Sequence, residues 1–108
     1  MKSQPIIDKI VEKLQTIDAS NRTTFLIFQF NFNAADGSLL KSFVLDLKEL
    51  KMYEGTAASP DSEIVIGDEE FFMWATNQIT YDDLKANNKV EIKGNLEAVM
   101  KLMDKFHK

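Results

Sequence analysis

Lys89-Val90-Glu91-Ile92-Lys93-Gly94-Asn95, followed by the helical pattern of residues 96–106, decides the fold of this 108-residue chain. Val90 and Ile92 alternate with charged residues at period two, the pattern of a strand with one buried face. Gly94-Asn95 interrupts that period. Beyond it Leu96, Val99, Met100, Leu102, Met103 and Phe106 recur at helical spacing and cover more than a single stripe. Two of the six are methionines, whose unbranched thioethers adapt to irregular surfaces. Such a face suits an ordinary terminal core helix, and equally a lid over a deformable apolar cavity with Gly94-Asn95 as its hinge.

The rest of the chain supplies what that strand and helix complete. Ile6, Ile7, Ile10, Val11, Leu14 and Ile17 fall at helical spacing, with Asp8, Lys9, Glu12, Lys13 and Gln15 opposite, and predict a helix over residues 4–16. Pro5 occupies a tolerated first-turn position. After a polar loop the period changes to two, placing Leu26, Phe28, Phe30 and Phe32 on one face of a strand. Ala35-Asp36-Gly37-Ser38 reads as a hairpin turn into a second strand, with Phe43, Leu45 and Leu47 on its apolar face. Residues 50–53 predict a third strand and residues 63–66 a fourth. Asp68-Glu69-Glu70 suits a helix start, with Asp68 as its cap, and carries Phe71, Phe72, Met73 and Trp74 into a short apolar helix. Thr80-Tyr81-Asp82-Asp83 caps a second short helix that turns Leu84 inward. The expected fold class is therefore α+β: one domain over residues 1–108, a mixed sheet of five strands covered on one face by helices.

Composition narrows the function. The net charge is −4, with 17 acidic and 13 basic residues spread along the chain, so no basic stripe is available for nucleic acid. No cysteine occurs, which removes thiolate chemistry and suits a reducing compartment. The longest apolar run, residues 71–75, is far short of the roughly 18–20 residues of a membrane-spanning helix. Neither a signal peptide nor a peroxisomal Ser-Lys-Leu ending is visible, and a cytoplasmic location is expected.

Catalytic constellations are missing. His107 is the single histidine, so neither a histidine base nor a histidine-rich metal site can be assembled, and helix capping accounts for Asp68-Glu69-Glu70 and Asp82-Asp83. The four glycines form no phosphate loop. These readings predict no enzyme, no cofactor and no metal. Arg22 is the single arginine against twelve lysines and stands where the first helix hands over to the first strand. A guanidinium suits a two-pronged grip on a carboxylate or phosphate, and pairing with Asp18 is the plainer alternative.

Taken in order, Phe43-Val44-Leu45-Asp46-Leu47-Lys48, Ile66-Gly67-Asp68-Glu69-Glu70-Phe71-Phe72 and Lys93-Gly94-Asn95-Leu96 resemble the sterol carrier protein 2 family over nearly the whole chain. The short first helix followed by Ile17-Asp18-Ala19-Ser20-Asn21-Arg22 is similar to the free-standing insect-type members. The resemblance implies an apolar tunnel under the helices and a non-enzymatic intracellular carrier of long-chain fatty acids, acyl-CoA or sterols. It also implies carboxylate binding at Arg22, Thr23 and Thr24 with Asp18 nearby. The implied tunnel lining is Ile10, Leu14, Leu26, Phe28, Leu45, Leu47, Ile66, Trp74, Val99, Leu102 and Met103. Bulky Phe and Trp at such positions favour a slim acyl chain over a sterol. The expected partners are that lipid, a membrane in transient contact, and a second copy in a ligand-dependent dimer. A protein-interaction or oligomerisation module docking through the terminal helix is the alternative from another class.

Overall fold

The computed structural model describes residues 1–18, 20 and 24–106. Its element order is α1 (Gln4–Leu14), β1 (Ile27–Asn33), β2 (Leu39–Asp46), β3 (Lys51–Glu54), β4 (Ser62–Gly67), α2 (Asp68–Ala75), α3 (Tyr81–Ala86), β5 (Val90–Gly94) and α4 (Leu96–Phe106). The strands form one sheet in the order β3-β2-β1-β4-β5. β1 pairs antiparallel with β2 and parallel with β4, while β4 pairs antiparallel with β5, so the sheet is mixed.

Register explains the single apolar face. Phe28 lies opposite Leu45 and Phe30 opposite Phe43 on one side of β1, and Phe30 and Phe32 neighbour Ile64 and Ile66 on the other. Those side chains share one buried cluster with Ile7, Ile10 and Leu14 of α1, Phe71 and Trp74 of α2, Leu84 of α3, and Val99, Leu102 and Met103 of α4. All four helices therefore cover the same face. On the opposite face Gln29 is only 2 % exposed. Its amide is satisfied by the carbonyls of Phe43 and Gly55 and by the N–H of Ala57, so the loop after β3 closes over it without an unpaired polar group.

Local chemistry sets the boundaries. The β1–β2 turn closes with Ala34 N–H donating to the Ser38 carbonyl at 2.8 Å, and Gly37 alone in it takes a positive φ, +88°. β2 stops at Asp46, one residue before Leu47, because the Asp46 carboxylate accepts the N–H groups of Lys48 and Glu49, both at 2.9 Å, and starts a turn. α1 ends at Leu14, two residues earlier than the pattern predicts, and its C-terminal N–H groups fall back to carbonyls three residues away. Thr80 and Asp83 form the reciprocal capping box that their spacing predicts.

Two expectations are corrected. Asp68 does not cap α2, whose N-cap is Gly67. Its carboxylate instead accepts the backbone N–H groups of Lys2 and Ser3 at 2.6 and 2.7 Å, and the Ser3 hydroxyl donates to the Asp68 carbonyl. Asp68 thus serves the N-terminus of α1, 65 residues away in sequence, and latches α1 to α2. Gly94-Asn95 is not a loose hinge. Gly94 has φ +94°, and a Cβ there would lie 2.2 Å from the Asp61 carbonyl oxygen. Asn95 exchanges hydrogen bonds with the Ser62 hydroxyl and caps α4 by accepting the N–H of Ala98. The start of α4 is pinned to β4.

Candidate functional site

α4 follows β5, and its residues Leu102, Lys105 and Phe106 share a cavity with Ile10, Lys13 and Leu14 of α1. α4 buries Val99, Leu102 and Met103 in the core and leaves Leu96 39 % exposed. Its apolar face is thereby spent on its own sheet. Where α4 meets the segment leading into β1, an open cleft of about 500 Å³ is lined by Thr24, Phe25, Leu26, Phe28, Leu47, Asn95, Glu97, Ala98, Lys101, Leu102 and Lys105. Phe25, 55 % exposed, stands at its lip.

Two smaller cavities continue from it. One, of about 110 Å³, lies between α1, β2 and α4 and shares Leu47, Leu102 and Lys105 with the cleft. The other, of about 210 Å³, lies towards Ala75 and Thr76 and shares Ile10, Lys13 and Phe106 with the middle one. Side chains of Leu47, Leu102 and Lys105 stand between the cleft and the middle cavity, and those of Ile10, Lys13 and Phe106 between the middle cavity and the inner one, in that they line both neighbours. Only the outer cleft lies within the roughly 300–1,000 Å³ typical of ligand pockets. An occupant longer than that cleft must part Leu47, Leu102 and Lys105.

The expected lining divides in two. Ile10, Leu14, Leu26, Phe28, Leu45, Leu47 and Leu102 border the three cavities. Ile66, Trp74, Val99 and Met103 are buried in the packed core beside them. Of the expected carboxylate site, Thr24 lines the cleft, while Arg22 and Thr23 lie outside the described residues. Asp18 accepts the N–H and the hydroxyl of Ser20 at 3.0 and 2.8 Å. These two bonds hold its carboxyl below the usual range and tie it to Ser20.

Sequence reading missed the lysines. Lys9 and Lys13 of α1, and Lys101 and Lys105 of α4, all border the cavities. The signal was present: each pair is spaced by four residues and flanks the apolar stripe of its helix, where a long stem covers apolar surface while its charge stays in water. Phe106 lines both smaller cavities, which its place on the apolar face of the last helix does not by itself predict.

This fold, a mixed sheet roofed on one side by helices, recurs in known proteins. Residues 7–107 match the model of the SCP-2 sterol transfer family. The chain belongs to that family. Sterol carrier protein-2 like-3 of Aedes aegypti is 32 % identical over 98 % of this chain and 97 % of its own, with a TM-score of 0.81. Sterol carrier protein-2 of the same mosquito, solved in complex with the C16 fatty acid palmitate, is 25 % identical over 98 % of this chain and 94 % of its own, with a TM-score of 0.82. An oleate-induced peroxisomal protein of Candida maltosa is 33 % identical over 73 residues, 59 % of this chain, and the match spans 58 % of that protein's length. Membership of the SCP-2 family places the chain among lipid-binding carrier domains. No helix among the described residues is long and apolar enough to cross a membrane.

Proposed function

We propose that this SCP-2 domain is a non-enzymatic carrier of long-chain fatty acids, held with the tail under α4 and the carboxylate at the loop between α1 and β1. The observation that carries this reading is the cleft of about 500 Å³ with its two successors along the sheet face. Ile10, Leu14, Leu26, Phe28, Leu45, Leu47 and Leu102 supply the apolar walls. The palmitate held by the Aedes aegypti relative supports a slim acyl chain as the occupant. The packed aromatics at the α2 end support it further, since a rigid ring system would have to displace them.

Affinity comes from the tail. Burying about 14 methylenes at about 0.8 kcal/mol each contributes on the order of 11 kcal/mol before ordering costs. A charge-assisted contact adds about 1.5–3 kcal/mol. Arg22, with Thr23 and Thr24 beside it, therefore decides which end of the lipid faces out, and Asp18 acts through the loop shape, because its own negative charge would repel a carboxylate. A cytosolic site of action belongs to the same proposal and is supported by the cysteine-free chain. Transient membrane contact delivers the lipid, and a ligand-dependent dimer is the one assembly in this reading.

Displacement of a fluorescent fatty acid by palmitate, methyl palmitate and cholesterol tests the proposal. Palmitate should compete at micromolar concentration or below and cholesterol more weakly, and Arg22→Ala should cost palmitate about one to two decades while sparing the ester. Stronger competition by cholesterol would overturn the ligand class. Equal losses for acid and ester would remove Arg22 from recognition.

A further inference from the structure

The chain as a whole is acidic, yet the cavities are bordered by the opposite charge. The middle cavity is lined by apolar side chains and two lysines, Lys13 and Lys105, and the inner one by apolar side chains, Thr76 and two lysines, Lys9 and Lys13. No carboxylate lines either. In the outer cleft the one acid, Glu97, is paired with Lys101 at 3.3 Å. Among the described residues Lys13 and Lys105 make no ion pair.

Placement joins these lysines to the loop. Ile17, which immediately precedes the loop, lines the middle cavity, and Thr24, which ends it, lines the outer cleft. Lys105 lines both spaces. Resting on the carrier reading above, we propose that Lys13 and Lys105, which line the middle cavity together with Ile17, form a second anion-binding prong, so that the site grades long-chain amphiphiles by head-group charge. Two like charges on one small cavity repel weakly, and an anion between them turns that repulsion into attraction. A dianionic alkyl phosphate gains most from this arrangement, a carboxylate less, and an alcohol nothing. Both side chains are exposed, so their contribution is screened by salt.

The test compares hexadecyl phosphate, palmitate and 1-hexadecanol on the wild-type chain and on Lys13→Met/Lys105→Met, which keeps the apolar stems. The double variant should lose about tenfold in affinity for the phosphate and about threefold for palmitate, with the alcohol unchanged. Lys13→Arg/Lys105→Arg should restore the order. Raising the salt from about 0.05 to about 0.5 M should erode the wild-type preference and leave the Met variant unmoved. An equal change for all three probes, or none, overturns the lysine prong. A wild-type protein that binds the alcohol as tightly as both anions also overturns it while leaving the carrier reading intact. Failure to bind any of the three overturns both.

Discussion

At the α2 end of the sheet's inner face Phe30, Phe32, Phe43 and Phe71 lie ring against ring, with centroids 5.0 to 6.0 Å apart. At the α1–α4 end Ile10, Leu14, Leu47 and Leu102 border open space instead. Both ends have the same architecture, helix over sheet, and differ in side-chain class. Planar rings set edge to face interlock and exclude voids. Aliphatic side chains border open space at the other end, flanked by lysines whose stems line it while their charges stay in water. Phe106 marks the border: its ring meets Phe71 at 6.4 Å and also lines the two smaller cavities. Room for a guest is therefore set by residue type at one end of a common frame.

Truncation at the two ends should break this comparison if it is wrong. Phe71 is fully buried among rings, and Phe71→Ala should cost about 3–5 kcal/mol of stability. Leu102 already faces cavities, so Leu102→Ala should cost only about 2 kcal/mol, the low end for such a change. Urea denaturation of both variants measures the difference. Equal costs would mean that the α1–α4 end is as tightly packed in solution as the α2 end.

The next effect concerns what holds α4 over the hollow end. Gly94→Ala places a Cβ against the Asp61 carbonyl at a φ of +94°, and either feature alone is costly. The variant should lose at least about 1–3 kcal/mol. It should also expose the amides at the start of α4 to hydrogen exchange more than those of β1. Unchanged exchange there would show that the Ser62–Asn95 bonds, and not the close approach at Gly94, anchor the helix.

The sheet was legible because each apolar alternation in the sequence had one consistent face, from Leu26 to Phe32 and again from Phe43 to Leu47. The capping box at Thr80 was legible because it is local. Asp68 was not: its carboxylate serves a helix 65 residues upstream, and no local pattern distinguishes that from capping its own helix. The same limit divides the site. Apolar periodicity finds the residues that face inwards but cannot tell Leu102, which lines two cavities, from Val99, which is packed in the core cluster, since both recur on the same face of α4. The lysines are hidden for the opposite reason, because in a sequence a charge at helical spacing marks a solvated face whether or not its stem covers a cavity.

The smallest effect expected is electrostatic and belongs to the loop at the hollow end. Asp18 is bonded to the N–H and hydroxyl of Ser20, and Asp36, in the β1–β2 turn, makes the same two bonds to Ser38. Each carboxyl is held below its ordinary 3.8 by these donors. For a depressed carboxyl the stabilisation is fully present above the unfolded-state value and is lost as pH falls through the lower folded-state value. Acid should therefore loosen both turns below 3.8, but only the Asp18 turn adjoins a residue that lines a cavity, Ile17. NMR titration of the two carboxyls reads this directly. Ser20→Ala should raise the Asp18 midpoint towards 3.8 and weaken palmitate binding slightly, whereas Ser38→Ala should raise Asp36 alone and leave binding untouched. If Ser38→Ala weakened palmitate as much as Ser20→Ala, the loop would lose its special connection to the hollow end, and the two ends would differ in packing only.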